Sequence, residues 1–386
     1  MVSLKMLLFE HLRGKEVIIY GCGYNGQFLQ WALEYNGISI SYMCDQKEEM
    51  WGKDYNGTPC ISPKELRQHK DAYIIISLMK YEEIYKMFIE ESFNNVFNWD
   101  ELKFLKEIMI KSGEITHYRD DLLDRDVELK KTMMKNEKFR NKHKGQRCFI
   151  IGNGPSIKEQ NLSLLHDEVT FTVNQMPRNP QFKQLNTQYH VWVDPDFFTV
   201  QEMCEGDWEV MELMKQMPCT TECFFPYYPA KQYIEKYKIN NEINVNYFST
   251  TEYISNDEEI DITKWIAPSY TVVQCAIRIA IYMGFSEIYL LGCETTAILN
   301  IIYTMSNNYQ QNTHCYDMDE KEKERAKKMF STNSMRLYFQ SESIIHEDYL
   351  NLEQYCNRHG IKLVNCTPGG LIENLPRERY EQVVGR

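Results

Sequence analysis

The sequence predicts an α/β protein with two parallel-sheet domains joined by a helical linker. Residues 1–100 alternate strand-like and helix-like stretches, and residues 146–386 repeat this alternation, which is typical of parallel sheets covered by helices. Residues 101–145 are highly charged and contain no run of β-branched residues, so they are predicted to form one or two connecting helices. The length of 386 residues suits two or three domains of roughly 150 residues each.

Both predicted sheets rest on short apolar runs separated by polar or helix-like segments. In the first domain the predicted strands are EVIIYG, ISISYMCD, YIIISL and NVFNW, and residues 25–36 read as a helix that ends at Gly37. In the second domain the predicted strands are CFII, VTFTVN, YHVWVD, TECFF, EIYLLG and IKLVN. Residues 271–283, TVVQCAIRIAIYM, are apolar on most faces of a helix and are expected to be buried between layers.

Composition and charge argue against several functional classes. The net charge of −12 disfavours a nucleic-acid partner, because such a protein needs a basic face. The twelve cysteines contain no CxxC pair, so a zinc site has no support and free thiols in a reducing cytosol are expected. No signal-peptide pattern and no run of about 18 apolar residues is found, so the predicted location is cytoplasmic, with peripheral membrane contact at most.

The first glycine-rich loop, YGCGYNG, follows a predicted strand directly. Gly21, Gly23 and Gly26 form G-x-G-x-x-G, and Asp45 follows about 20 residues later, which is the dinucleotide fingerprint of a Rossmann-like domain. The glycines allow a tight turn and a close backbone approach, and Asp45 is placed to accept a hydrogen bond from a ribose hydroxyl. This loop alone suggests an NAD oxidoreductase, but no catalytic His, Lys or Tyr arrangement accompanies it.

The stretch GKDYNGTPCISPKEL resembles the N-terminal Rossmann-like domains that are attached to sugar-modifying enzymes, including some sugar acetyltransferases. That resemblance implies a bound nucleotide or nucleotide-sugar in the first domain. A degenerate domain used for interaction or regulation is an equal alternative.

The second glycine-rich loop, GNGPS, is more distinctive. Gly152 and Gly154 permit unusual φ angles and expose backbone amides, Pro155 suits the first turn of a helix, and Ser156 can cap or donate. The predicted result is a preformed nest for an anion, stabilised by about 0.3–1 kcal/mol of helix-dipole attraction per charge. The alternative is a plain tight turn between strand and helix.

Polar residues also follow other predicted strands or open the buried helix. In open α/β sheets, ligands bind outside the carboxyl ends of the strands, so convergent polar groups there predict a binding site. The residues at these positions are Asn174, Gln175, Asp194, Ser269, Thr271 and Glu294.

Residues of about 146–380 resemble the 6-hydroxymethylpterin diphosphokinase MptE-like family. The resemblance is carried by FIIGNGPS, the VNQ strand end, YTVVQCAIRIAIYMGFSEIYLLGCE and HGIKLVNCTPGGLIENLPR. The same superfamily includes the motility accessory factor glycosyltransferases. More distantly, the segment is similar to bacterial sialyltransferases that use CMP-sialic acid, which implies a glycosyltransferase-A or sialyltransferase-like second domain.

The sialyltransferase resemblance implies a role for each strand-end residue. Gly152, Asn153, Gly154 and Ser156 would contact the phosphate and ribose of the nucleotide. The other residues fall at donor-side positions: Asn174 and Gln175 would hold the donor, Thr271 would line the nucleotide pocket, Asp194 falls where those enzymes carry Asn, and Glu294 falls where they carry Asp.

This sequence departs from the sialyltransferase pattern at the catalytic positions. Thr295 and Thr296 stand where those enzymes have an aromatic pair, for which Tyr303 and Tyr309 are the alternatives here. Their catalytic histidine falls near Ser343 in this chain. The resemblance therefore does not establish that the donor contains cytidine or sialic acid.

Two histidines are candidates for the general base, since a transferase onto a hydroxyl needs a proton acceptor. His314 lies in a long polar loop that can form a lid, with Asp317 and Asp319 nearby, whereas His346 lies on an amphipathic helix that ends at Gly360. His314 is preferred, and a merely polar histidine is the alternative.

Two arginines are candidates to neutralise a diphosphate. They are Arg278, inside the buried helix, and Arg377, after the TPGG turn. Structural ion pairs are the default interpretation for both, because a buried unpaired charge is costly.

The predicted function is a glycosyltransferase that uses a nucleotide-activated sugar, such as a sialic-acid-like nonulosonic acid, on a surface glycan or glycoprotein acceptor. His314 would be the base and Glu294 a second catalytic residue; a diphosphate donor would use Asp317 or Glu294 with Mg²⁺. The alternatives are diphosphate transfer from ATP to a pterin alcohol, a non-catalytic nucleotide-sugar-binding scaffold and, more weakly, an NAD oxidoreductase. A homo-oligomer is compatible with the sequence.

Overall fold

The chain forms two compact units, Met1–Leu122 and Leu123–Arg386, each built on its own mostly parallel sheet. The computed structural model describes residues 2–78, 80–199, 203–251, 254, 258–296, 298, 314–330 and 335–385. The division between the units falls inside the predicted linker 101–145. The predicted α/β fold with two Rossmann-like domains is confirmed.

The first unit contains a six-stranded sheet in the order β3-β4-β2-β1-β5-β6. All its neighbouring strands are parallel except β3 and β4, which form an antiparallel hairpin across Asn56 and Gly57, both with positive φ. The strands are β1 Val17–Tyr20, β2 Tyr42–Cys44, β3 Asp54–Tyr55, β4 Thr58–Ile61, β5 Tyr73–Ile76 and β6 Val96–Asn98.

Helices cover this sheet and lead into the second unit. The helix α2 follows the glycine-rich loop directly. Its residues from Phe28 to Leu33 are all buried, so this helix packs against the core of the first unit. The helices are α1 Val2–Leu12, α2 Tyr24–Tyr35, α3 Pro63–Leu66, α4 Glu82–Glu90, α5 Trp99–Lys111 and α6 Ile115–Arg125.

The second unit contains an eight-stranded sheet in the order β12-β11-β10-β9-β8-β7-β13-β14, and every neighbouring pair is parallel. The chain runs outward from β7 to β12 and then returns to β13 on the other side of β7. The strand order therefore reverses between β7 and β13, where such sheets open a crevice for ligands. The strands are β7 Arg147–Ile151, β8 Thr170–Val173, β9 Tyr189–Val191, β10 Glu222–Pro226, β11 Asn244–Thr250, β12 Trp265–Ile266, β13 Glu287–Leu291 and β14 Lys362–Asn365.

Alternation along β7 divides the core of this unit between the two faces of the sheet. Cys148 and Ile150 belong to one buried cluster, and Phe149 and Ile151 belong to the other. The predicted buried helix is α10, in which every residue from Val273 to Tyr282 is buried. The helices of this unit are α7 Val127–Met134, α8 Glu205–Lys215, α9 Tyr227–Lys236, α10 Val272–Tyr282, α11 Glu320–Phe330, α12 Met335–His359 and α13 Tyr380–Val384.

No helix in the described parts of the chain is both long enough and apolar enough to span a membrane.

Candidate functional site

The loops after β7 and β13 lie directly against each other at the reversal of strand order. Gly154 N donates to Gly292 O at 2.8 Å, and a Cβ added to Gly152 would lie 2.4 Å from the same carbonyl oxygen. Gly292 itself has a φ of +61°. A Cβ at position 152, 154 or 292 would clash with neighbouring atoms, which explains the glycines at these three positions.

The predicted anion nest in GNGPS is already filled by the protein. The Gly152 amide donates to Leu291 O at 2.7 Å, and the Gly154 amide donates to Gly292 O. The Ser156 amide donates to the Glu294 carboxylate at 2.7 Å. The expectation that the Gly152 and Gly154 amides are exposed to a phosphate is therefore wrong in this structure, because carbonyl oxygens of the protein accept from both.

Glu294 is the anion that faces the loop. Its side chain is only 7 % exposed, and a Cβ on Gly154 would lie 1.4 Å from its Oε2. Oε2 and the Ser156 hydroxyl are both buried without a hydrogen-bond partner among the described residues. The segment Pro155–Glu159 is a 3₁₀ turn of five residues, so it supplies only a short helix end.

A cleft of about 250 Å³ opens beside these loops. It brings together residues that are far apart in the sequence, from the loops after β7 and β13, the end of β8, the start of α10, the segment before α11, and α12. The sequence-predicted site residues that line it are Gly152, Asn153, Gly154, Asn174, Thr271, Glu294 and His314.

The start of α10 contributes one wall of this cleft. Thr271 caps the helix by accepting from Gln274 N at 3.4 Å, and the Gln274 side chain accepts in return from Thr271 N at 3.2 Å. The next two residues, Val272 and Val273, also line the cleft. The first-turn amides of a helix have no partner within the helix, so this end of α10 can attract an anion.

His314 reaches the cleft because its own segment is held against the glycine loop. Cys315 N donates to Asn153 O at 2.8 Å, and Asn179 Nδ2 donates to Cys315 O at 2.9 Å. The imidazole stacks on Tyr316 with ring centroids 5.1 Å apart. Burial lowers the pKa of His314 below 6.5, partly opposed by the Glu322 carboxylate, so the ring is neutral and able to accept a proton at pH 7.

Several predicted donor-binding residues are not among those that line the cleft. Gln175 is buried and donates to Glu322 Oε1 at 2.7 Å while accepting from Arg178 at 2.7 Å. Both ends of its amide are thus used inside the protein. The residues placed outside the cleft lining are Pro155, Ser156, Gln175, Asp194 and Ser269.

Asp194 acts as a local cap. Its carboxylate accepts from Asp196 N at 3.1 Å at the start of a short 3₁₀ turn. Burial raises the pKa of Asp194, although the Asp196 amide opposes that shift. The structure gives Asp194 a role in the turn and not in the cleft.

The two candidate arginines have protein partners. Arg278 forms a buried ion pair with Asp348 in α12 and also donates to the Ser269 hydroxyl at 2.8 Å. Arg377 donates to four backbone carbonyls around the TPGG turn, including Thr367 O and Ile372 O, each at 3.0 Å. Neither arginine is among the residues that line the cleft.

The TPGG turn holds Glu294 from the other side. Leu371 N donates to Glu294 O at 2.8 Å, and a Cβ on Gly370 would lie 2.8 Å from the Glu294 Cα. Cys293 N donates to the Thr367 hydroxyl at 2.9 Å. This turn was recognised in the sequence as part of a motif, but its support of Glu294 was not predicted.

Tyr349 is a cleft residue that sequence reasoning missed. It lies in α12, lines the cleft, and is fully buried. Burial raises its pKa, partly offset by the nearby Thr271 hydroxyl. The only signal in the sequence is its place on the apolar face of an amphipathic helix, which does not distinguish a site residue from a core residue.

The predicted alternatives for base and metal lie elsewhere. His346 is half-buried and is not among the cleft-lining residues, and Tyr303 and Tyr309 fall outside the described residues. Asp317 pairs with Lys158 at 3.0 Å, and Asp319 accepts from Glu322 N at 2.9 Å. Across the described ranges no group of three or more His, Cys, Asp or Glu side chains is arranged to hold a metal ion.

The fingerprint loop of the first unit is tightly packed. Gly21 has a φ of +107°, and a Cβ on Gly26 would lie 1.9 Å from Gly21 O. Asp45 accepts from Cys22 N at 2.8 Å and from Lys47 N at 3.0 Å, so both carboxylate oxygens bind backbone amides. Gly23 has no atom within 4 Å of an added Cβ. A nucleotide at this loop remains a prediction.

Comparison with protein families gives two matches. Residues 127–297 match the family described as 6-hydroxymethylpterin diphosphokinase MptE-like, and residues 14–96 match the family described as C2185-like, N-terminal. No curated protein matches the chain. The first match spans the GNGPS loop, α10 and Glu294, and it confirms the resemblance to the MptE-like family for that segment. The similarity to sialyltransferases stays a prediction.

Proposed function

We propose that the cleft of the second unit is the active site of a transferase that moves a sugar from a nucleotide donor to a hydroxyl of a glycan or glycoprotein. One observation carries this proposal: His314 shares a cleft with the N-terminal turn of α10. A neutral imidazole can take the proton of an acceptor hydroxyl, and a helix end can hold the phosphate of a nucleotide. These are the two parts that transfer from a nucleotide to a hydroxyl requires.

The phosphate of the donor is assigned to the start of α10 and not to the GNGPS amides. Glu294 lies at those amides, and two unit negative charges 4 Å apart repel by about 4 kcal/mol at an effective dielectric constant of 20. The alternative donors in the cleft are the amides of Val272 and Val273 and the Thr271 side chain.

The proposed reaction is a direct displacement. The acceptor oxygen attacks the anomeric carbon of the donor sugar while its proton passes to His314. The bond between the anomeric carbon and the phosphate oxygen breaks, and the nucleotide leaves with the electron pair. The imidazolium then loses its proton to solvent.

The charge of the cleft favours a donor with a single phosphate. Its lining within the described residues includes the Glu294 carboxylate and no Lys or Arg, and the sequence 297–313 contains neither residue. A nucleoside monophosphate leaving group needs less neutralisation than a diphosphate. This supports a CMP-linked sugar of the nonulosonic type as the donor.

A second candidate is the transfer of diphosphate from ATP to a pterin alcohol, favoured by the description of the family that residues 127–297 match. In that reaction the alcohol oxygen attacks the β-phosphorus of ATP, AMP leaves, and Mg²⁺ is required to neutralise the phosphates. His314 would serve as the proton acceptor there too.

A thermal-shift panel on the full chain separates these candidates. CMP, CDP, UDP, GDP, ATP with Mg²⁺ and NAD are compared, since a ligand that binds the folded state raises its stability by mass action. Stabilisation by CMP supports the proposal. Stabilisation by ATP with Mg²⁺, without an effect of CMP or any nucleoside diphosphate, rejects it in favour of the diphosphotransferase. Nucleotide binding without turnover on any acceptor would indicate a scaffold.

The role of His314 is tested by His314→Ala. Loss of the base should lower turnover by about 10²- to 10⁴-fold and leave nucleotide affinity unchanged. His346→Ala, which alters a histidine outside the cleft lining, is the matched control and should retain turnover. Full activity of His314→Ala in a steady-state assay would reject His314 as the base.

A further inference from the structure

A fully buried histidine lies beneath the cleft and contacts one of its lining residues. His190 is in the middle of β9, with no exposed surface. Its Nε2 lies 3.0 Å from the backbone oxygen of Asn174, and its Nδ1 lies 2.7 Å from the Thr172 hydroxyl. Both partners belong to the neighbouring strand β8 or to the turn that follows it.

The hydrogen-bond partners fix the tautomer of His190. A carbonyl oxygen only accepts, so Nε2 must carry the proton that points at Asn174 O. Burial lowers the pKa of His190 to about 3, so the ring is neutral and Nδ1 has no proton. The Thr172 hydroxyl therefore donates to Nδ1. The ring is thus a fixed connection between β8 and the backbone of Asn174.

Asn174 is held in an unusual conformation by several bonds. Its φ is +43°, in the left-handed region that favours glycine and asparagine. Its amide donates to Val191 O at 2.9 Å, and its carbonyl accepts from His190. Its side-chain Oδ1 accepts from Val193 N at 3.2 Å.

These contacts leave one group of Asn174 for a ligand. Because Val193 N only donates, the atom facing it must be Oδ1, and the side-chain orientation is fixed. Nδ2 makes no hydrogen bond to any described residue, and Asn174 lines the cleft. The Nδ2 group of Asn174 can therefore donate a hydrogen bond in one fixed direction. The side-chain amide cannot rotate to present Oδ1 to a ligand without losing the hydrogen bond from Val193 N.

We propose that His190 is a positioning residue that fixes Asn174 as a one-directional hydrogen-bond donor to an oxygen acceptor, phosphate or carbonyl, of the donor ligand. This inference rests on the proposed function of the cleft. According to this proposal, His190 does not line the cleft but helps to select ligands that place a hydrogen-bond acceptor beside Asn174 Nδ2. The competing interpretation is that His190 merely satisfies two buried polar groups of the core.

Nucleotide affinity distinguishes the two interpretations. In His190→Leu, the full chain should bind CMP about tenfold more weakly in calorimetry, the size of one lost hydrogen bond. Asn174→Gly keeps the left-handed backbone without strain and removes Nδ2, and it should weaken binding equally. If His190 acts through Asn174, the double variant should be no weaker than Asn174→Gly alone.

Conservative variants and a control complete this set. His190→Gln can donate to Asn174 O and accept from Thr172, so it should recover much of the affinity. Thr172→Val removes the donor to Nδ1, together with a 3.3 Å contact between the Thr172 and Thr187 hydroxyls, and serves as a milder substitution if His190→Leu does not fold. His166→Gln changes an exposed histidine that contacts Asp167 and should have no effect. Unchanged CMP affinity in folded His190→Leu, or a further loss in the double variant, would overturn the proposal.

Nuclear magnetic resonance separates a failure of this inference from a failure of the proposed function. If no nucleotide binds the wild-type chain, the proposed function fails, but the positioning can still be measured. The side-chain Nδ2 signals of Asn174 should move in His190→Leu and stay in place in His166→Gln. The imidazole of His190 should remain in the Nε2-protonated form from pH 5 to 8. Asn174 signals that do not respond to His190→Leu would refute the positioning role.

Discussion

The Glu294 carboxylate lies at the GNGPS loop, where a phosphate was predicted from the sequence. It accepts from the Ser156 amide, is almost fully buried, and shares the cleft with His314. A charge-assisted bond of this kind stabilises the loop, while the same charge repels any phosphate that approaches the loop. Under the proposed function, the phosphate of the donor is therefore expected at the start of α10, beside Thr271.

Removing this charge should strengthen nucleotide binding. In Glu294→Gln an oxygen remains to accept from Ser156 N, so we expect the stability to fall by only about 1 kcal/mol, the difference between a charged and a neutral acceptor. The affinity for CMP should rise about tenfold, because the repulsion disappears. Titration calorimetry measures this change.

Glu159→Gln is the matched control, because it removes an exposed carboxylate from the same loop region and should leave the affinity unaltered. An affinity for CMP that stays constant or falls in Glu294→Gln would show that Glu294 does not oppose the phosphate.

At the scale of elements, the three glycines in the loop between β1 and α2 differ in how closely the protein packs around them. Gly21 and Gly26 are required by the protein's own packing, because an added Cβ would lie 2.5 Å from the Ser77 hydroxyl or 1.9 Å from Gly21 O. Gly23 begins α2 with an extended φ of −72° and ψ of −169°, and space is free around it. The outer glycines of the fingerprint are therefore explained without a ligand, whereas the middle glycine is not.

Two alanine substitutions test whether this element binds a nucleotide. Gly26→Ala must displace backbone and should destabilise the first unit by about 3 kcal/mol, whereas Gly23→Ala should change its stability by less than about 0.5 kcal/mol. If a nucleotide approaches the loop closely, Gly23→Ala should abolish the thermal shift that NAD or a nucleotide-sugar gives in the wild-type chain. A shift that survives in folded Gly23→Ala would indicate that the ligand does not bind at this loop.

At the scale of the whole molecule, much of the fold could be predicted from periodicity alone. The two α/β units and the buried helix α10 follow from apolar runs and from a helix without a polar face. The hairpin of β3 and β4 and the strand β12 were missed because these strands have only two to four residues each, and β11 was missed because polar residues interrupt the apolar ones in NVNYFST. The local sequence does not show that such segments add to the edge of a sheet as further strands.

The site could be predicted only as far as chain topology determines it. The carboxyl ends of β7, β8 and β13 meet at one edge, and Asn174 and Glu294, which follow β8 and β13, line the same cleft as Thr271 at the start of α10. Gln175 is turned away by a bond to Glu322, 147 residues later, and the anion at GNGPS comes from 138 residues later in the chain. Such partners depend on packing between distant segments, which a single sequence does not encode in any local pattern.

Buried neutral histidines should make the second unit sensitive to acid. Burial lowers the pKa of His190 to about 3 and also lowers the pKa of His143 and His314 below 6.5. Below pH 6.5 the unfolded chain binds protons at these rings that the folded chain does not bind. Their contribution to stability is therefore complete at pH 7 and is lost as the pH falls toward the folded-state values.

Denaturant unfolding of the full chain at pH 7, 6, 5 and 4 measures this loss. A single histidine with so low a folded pKa contributes a slope of up to about 1.4 kcal/mol per pH unit between its folded and unfolded pKa values. In His190→Gln the slope of unfolding free energy against pH should decrease by that amount, because glutamine does not titrate. His166→Gln, at an exposed site, should keep the wild-type slope. If His190→Gln and the wild-type chain show equal slopes, His190 is protonated as easily in the folded protein as in the unfolded one. That result would contradict the neutral ring that holds Asn174.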